Sequence, residues 1–254
     1  MHFKLLAAVC GVFAVMLLAG CGDQSGKPIV EVVEDTHPNG NKRTVIAYQG
    51  RKDNVIRRSF FGPEGNMMSD QHFKNSKPNG ERTVYYPDGT LNQQTFFQDS
   101  LRHGTDKSWY QSGQIKSEGE FAAGVPVGKS LSYFEDGKTA LLVAYKDGKK
   151  HGEEIEYYSN GNKKRVRNFV DGSVDGLEQI FFENGKIKSE HLYTMGTLNG
   201  TFTYYDAGTG KKVEDGAYLN GQYHGKRAMY DARSGRKKSE ATYENGIRTF
   251  GEFF

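Results

Sequence analysis

The sequence predicts an all-β fold, an elongated single-layer antiparallel meander of stacked β-hairpins. Three observations carry that expectation. A glycine returns about every 24 residues, at Gly40, Gly65, Gly89, Gly113, Gly137, Gly161, Gly185, Gly210 and Gly235. Eight places after each stands an aromatic: Tyr48, Phe73, Phe97, Phe121, Tyr145, Phe169, Tyr193, Tyr218 and Tyr243. Between them, apolar and polar residues alternate with period two, bounded by Asp-Gly or Asn-Gly, as hairpin strands do. A fixed period in this range is the mark of a stacked repeat protein.

In chain order, residues 1–20 read as an export signal. Lys4 precedes the apolar run LLAAVCGVFAVMLLAG, which is short for a membrane span. Leu18-Ala19-Gly20-Cys21 resembles the lipobox of bacterial lipoproteins. That resemblance implies cleavage before Cys21, lipidation of its sulfur (a palmitate-type anchor) and acylation of the new amine. Gly22 in the next place implies the outer membrane, facing the periplasm, although Asp23 follows it. An uncleaved apolar anchor is the other reading, and it too tethers the chain. Cys10 leaves with the signal, so the mature chain keeps no free thiol. Residues 21–36 form a tether leading into a first strand near Ile29–Val33, and residues 37–254 form the repeat domain.

One repeat shows the logic. Leu131 and Tyr133 alternate with Ser132 and Phe134; Thr139, Leu141, Val143 and Tyr145 alternate with Ala140, Leu142 and Ala144. Asp88-Gly89, Asp136-Gly137, Asn160-Gly161 and Asn184-Gly185 suit a tight primed turn, since these dipeptides tolerate positive φ. The second turn, Asp147 to Gly152, reads as a longer one carrying two glycines. Aromatic pairs precede the first turn at Phe60-Phe61, Tyr85-Tyr86, Trp109-Tyr110, Tyr133-Phe134, Tyr157-Tyr158, Phe181-Phe182, Tyr204-Tyr205 and, less completely, Met229-Tyr230. With a two-residue first turn, Phe134 shares a face with Tyr145 and Tyr158 with Phe169. Trp109, Tyr133, Tyr157 and Phe181 then line the opposite face, stacked in ladders ~10 Å apart.

Glu118-Gly119-Glu120-Phe121, Gly124, Gly128, Tyr133-Phe134 and Gly137 resemble the MORN repeat. The spacing is similar to its bacterial variant, whose members are often labelled YwqK-type antitoxin components. The resemblance covers roughly residues 37–254 and implies the hairpin-repeat fold. Ser76 and Ser100 depart from it, standing where an inner glycine is expected.

Composition agrees with a thin sheet held by aromatic ladders. Hydrophobic residues make up 36% of the 254, yet aromatics reach 13%, which separates the chain from disordered sequences. The formal charge of +3 falls to about +2 once Lys4 is removed, too little for general attraction to nucleic acid. His103, His151 and His224 each precede a closing glycine, but in repeats too far apart to share a metal. No nucleophile elbow or zinc-protease motif occurs, and Gly208-Thr209-Gly210-Lys211 falls on a hairpin turn. Glu153, Glu154 and Glu156 read as solvated strand acids. We therefore expect no catalytic residue, metal or cofactor, and a non-enzymatic protein.

The candidate binding face comprises Trp109, Tyr133, Tyr157 and Phe181 with Lys163, Lys164, Arg165 and Arg167. The basic cluster suits anionic lipid or an acidic partner, or serves only to keep strand surfaces soluble. Thr249–Phe254 ends half a repeat short, a candidate edge for a partner strand or an edge-to-edge homodimer. The function expected is a membrane-tethered binding or scaffold module of the bacterial envelope, with an unidentified protein or peptide partner. The alternative, implied by labels in the resembling family, is an immunity or antitoxin protein that neutralises a toxin.

Overall fold

The computed structural model describes residues 26–254, with the backbone of a short strand at Val15–Met16. Lys4, Cys10, Leu18, Ala19, Gly20 and Cys21 lie outside the described residues. The chain divides into two units, Met1–Gly104 and Thr105–Phe254.

Among the described residues no helix occurs. In the first unit the strands Ile29–Thr36, Lys42–Gln49, Val55–Phe61, Met67–Lys74, Lys77–Tyr85 and Leu91–Gln98 each run antiparallel to the next. The expected first strand thus begins at Ile29 and extends to Thr36. In the second unit the same meander runs from Ile115–Ala122 through Val125–Tyr133, Thr139–Lys146, Lys149–Tyr157 and Lys163–Val170. It continues to Ile247–Phe253.

The two turn classes are the reverse of the expectation. At Asp136-Gly137 only the glycine has positive φ, and Phe134 bonds both Gly137 and Lys138 across a three-residue loop. That is the hairpin class in which one left-handed residue closes the loop. The two-residue primed turn is the second one. Asp147 (φ 50°) and Gly148 (φ 79°) join Lys146 to its partner Lys149. This turn demands positive φ at two consecutive residues, a demand that Asn75-Ser76 and Asp99-Ser100 meet without glycine. Gly152 sits not in the turn but at an irregularity of the following strand, at φ 91°.

Both turns are stitched to neighbouring repeats. The N–H of Gly172 donates to the Lys150 carbonyl (2.8 Å), and Gly196 does the same to Val174 (2.7 Å). At the other edge the Asn162 side chain donates to the Glu183 carbonyl (2.9 Å), while Tyr110 and Tyr158 hydroxyls donate to the carbonyls of Tyr133 (2.8 Å) and Phe181 (2.9 Å). The second aromatic of these pairs is therefore a staple between repeats. In the first unit His37 Nε2 takes that role on the Phe61 carbonyl (2.9 Å). Three of the pairs are shifted by one. Asp206 and Asp231 open their loops, so Tyr205 and Tyr230 hold the place of Tyr133; Gly62 likewise follows Phe61.

Register then fixes the faces, because directly opposed residues share one. Gly128 opposes Tyr145 and Leu131 opposes Leu142, which puts Tyr145 opposite in sense to Tyr133, as expected. On the Tyr145 face Phe202 is 1% exposed. It is ringed by Tyr218 (4.9 Å between centroids), Tyr204 and Tyr223 (5.7 Å each). Its ring fits because Gly216 stands directly opposite; a Cβ there would lie 2.7 Å from the ring edge. Gly216→Ala is accordingly expected to destabilise the protein by about 1–3 kcal/mol through overpacking. Urea denaturation reads this, and an unchanged midpoint would contradict the packing.

Candidate functional site

The register assembles one row across the second unit: Ser130, Val143, Glu154, Arg167, Glu178, His191, Phe202, Gly216, Arg227 and Ala241, each beside the next. Glu154, Glu178 and Phe202 are equivalent positions one period apart, the inward residues of successive leading strands. The centre of this row is a chain of alternating charge.

Glu154 is only 2% exposed, which corrects its reading as a solvated acid. Arg167 Nε donates to its Oε1 at 2.6 Å and Lys150 to its other oxygen. Burial pushes the Glu154 carboxyl up, but Lys150 and Arg167 together hold it below the usual range. Arg167 also lies 3.7 Å from Glu178, and Arg165 3.8 Å from the same oxygen. Buried ions are retained when paired and hydrogen-bonded, and removing one partner is costly. Beyond Glu178 comes His191, whose Nε2 meets the Tyr204 hydroxyl at 3.1 Å while its buried Nδ1 has no hydrogen-bond partner.

The candidate binding residues divide between the two faces. Tyr133, Tyr157 and Phe181 share one face with Leu131, Leu142 and Ile155. Strand alternation places Trp109 with them, since Lys107 on the same strand pairs Glu118, which opposes Leu131. Arg165 and Arg167 lie on the other face, because they oppose Glu156 and Glu154. They and Lys164, 3.6 Å from Glu156, are engaged with acids and do not join the aromatic row. Lys163 stands exposed where the strand leaves the first turn.

On the aromatic face Tyr133 donates to Glu118 at 2.7 Å and Tyr205 to Glu190 at 2.8 Å. The Tyr133 bond lowers the Glu118 carboxyl and raises the phenol. At the other end of the strand that carries Phe181, and on the same face, Leu177 and its partner Leu192 are 48% and 37% exposed. Sequence reasoning missed this leucine pair and the buried Glu154–Arg167–Glu178–His191 chain. The available signal was recurrence: an acid at one fixed position in two consecutive periods, Glu154 and Glu178, opposed by Arg167 and His191. Among the described residues, no group of three or more His, Cys, Asp or Glu is placed to hold a metal, and no helix is long and apolar enough to cross a membrane.

These features define an all-β repeat protein that offers two chemically distinct sheet faces. Four segments, residues 78–99, 102–123, 150–171 and 174–194, match the family model described as MORN repeat variant. The matched repeats mark a repeat-based binding or scaffold module. No curated protein matches the chain. Among solved structures, a porin-like protein from Bacteroides uniformis ATCC 8492 is similar over 91% of this chain and 92% of that one, at 10% identity and a TM-score of 0.20.

The buried histidine has a pH consequence. Burial pulls His191 below its ordinary value, opposed by Glu178. The unfolded chain therefore takes up the proton first as pH falls. Stability contributed by neutral His191 is complete above about pH 6.5 and declines as pH drops below it. The Tm of the protein should fall on acidification from neutral pH toward the lowered value, and His191→Gln should flatten that dependence. Parallel wild-type and variant curves would refute the assignment.

Proposed function

We propose that the chain is a membrane-tethered, non-enzymatic repeat protein that holds a protein or peptide partner in the bacterial envelope. The observation that supports this is the asymmetry of the second unit. One face satisfies its charges internally, in the row through Glu154 and Glu178. The other presents a regular file of half-buried aromatics at Trp109, Tyr133, Tyr157 and Phe181, widened by the exposed Leu177–Leu192 pair. Aromatic and aliphatic anchors of this kind form the energetic centre of protein interfaces. The tether rests on Cys21 in its lipobox-like context, with the outer membrane facing the periplasm as the location.

Exposed Lys163 at the first-turn edge suits contact with anionic headgroups once the chain is anchored. The last strand, Ile247–Phe253, with exposed Phe250 and Phe253, is the place for edge-to-edge pairing of two copies. An antitoxin of the YwqK type would use the same aromatic face on a toxin, and a rescue assay with a neighbouring toxin-like gene separates the two readings.

The test is fractionation combined with in-cell photocrosslinking. Wild type should sediment with outer membranes and Cys21→Ser should become soluble in the periplasm. A photoreactive residue at Tyr157 or Leu192 should yield a discrete adduct, and one at Arg165 should not. Unchanged fractionation of Cys21→Ser would refute the anchor; adducts confined to Arg165 would refute the face.

A further inference from the structure

The first unit contains a cavity of about 790 Å³, and it sits where the repeat is broken. In the second unit two residues join trailing to leading strand, as at Asp147-Gly148. Between Gln49 and Asn54 the turn is longer, closed by Gln49 N–H on the Asn54 carbonyl (3.1 Å) and by the Asn54 side chain on the Gln49 carbonyl (3.0 Å). Ser76 of the next turn donates to the Asp53 carbonyl at 3.3 Å, tying this loop to its neighbour. The neighbouring strand keeps the irregularity of the regular repeats, between Gln71 and Phe73 opposite Asn79, with Gly80 at φ 90° as Gly152 is at 91°. The lengthened turn between Gln49 and Asn54 is what sets this place apart.

Its lining has a distinct chemistry. Four amide-bearing residues contribute to it, Gln49, Asn54, Asn75 and Asn79. Its Arg57 and Glu31 are already spent on one another. Arg57 bonds Glu31 and lies 3.8 Å from Asp70, and His72 lies 3.4 Å from the same carboxylate. Of the cations in the lining, Arg57 is held by Glu31 and by Asp70 behind it, and Lys74 is exposed. An anion would have to compete with two carboxylates for Arg57, and a cation with Arg57 for Glu31. Phe73, Ile29 and Ile56 add apolar surface, but the amides and ions make the site a poor match for a purely apolar ligand.

We infer that this cavity binds a neutral saccharide of about disaccharide size. Planar amides and an ion-paired carboxylate and guanidinium offer paired donors and acceptors to adjacent hydroxyls, and Phe73 offers a surface to the C–H face of a sugar ring. The volume lies within the range of small-molecule sites, ~300–1,000 Å³. This inference does not depend on the partner-binding role proposed above, since it uses only residues of the first unit.

The test is calorimetric titration of the full-length protein with cellobiose, maltose and N,N′-diacetylchitobiose. At least one should bind saturably, with a Kd of about 1 mM or tighter. Asn79→Ala should weaken it about tenfold, with an unchanged thermal midpoint. In case that variant unfolds, wild-type side-chain amide NMR signals decide instead: shifts at Asn54 and Asn79 on titration support the site. Absence of binding by all three sugars would overturn the inference, as would shifts confined to other residues. Tighter binding of a uronic-acid disaccharide than of any neutral one would overturn it too, marking an anion site.

Discussion

Hydrogen bonds that join each turn to the repeat next to it, 21 to 24 residues away in sequence, are the constraint from which the remaining structure follows. One hairpin cannot bury its own surface, so its position is set by its neighbours. Asn160 and Asn162 both donate to the Glu183 carbonyl, and Gly172 and Gly196 N–H groups donate to Lys150 and Val174. With both ends of each hairpin held, strand register has no freedom to slip, and a slip of one residue would exchange the two faces.

Fixed register makes the faces different in kind. On one, position 154 and its equivalents oppose positions 167, 191 and 216, so whatever occupies them meets in a single row. In the middle of the unit the row is filled by ions, and toward Phe202 by aromatic rings. Tyr218 stacks on Tyr223 at 4.7 Å, and Arg227 lies 4.7 Å over the Tyr223 ring. An alternating ion chain satisfies its own charges, whereas a displaced strand would leave Glu154 or Arg167 buried and unpaired. Leaving one member of such a buried pair without its partner is strongly destabilising. On the opposite face the acids Glu118 and Glu190 accept from Tyr133 and Tyr205, and its aromatics and leucines stay partly open.

Much of this was legible in the sequence. The period, the strands and the separation of Tyr133 from Tyr145 follow from spacing alone, because the sum of paired residue numbers is the same for a two-residue loop and for a three-residue loop with a compensating irregularity at Tyr133. The loop class itself was not legible, since Asp-Gly occurs at both turns and only backbone φ distinguishes them. Position 204 looked like the head of an aromatic pair because Tyr204 and Tyr205 are adjacent, while an inserted loop residue moved the frame. Burial of Glu154 depends on Arg167 across the strand pair, a partner that local polarity does not reveal. The cavity of the first unit depends on residues 50–53 breaking the repeat, so periodicity could not show it.

Excision of one whole period tests the central claim most directly. Removal of residues 113–136 takes out 24 residues, joins Ser112 to Gly137 and spares the ion row; removal of 113–135 takes one fewer. If repeat-to-repeat stitching sets the register, the first variant should unfold cooperatively with native near-UV dichroism, and the second should lose cooperativity. Equal disruption by the two excisions, or equal tolerance of both, would contradict the account.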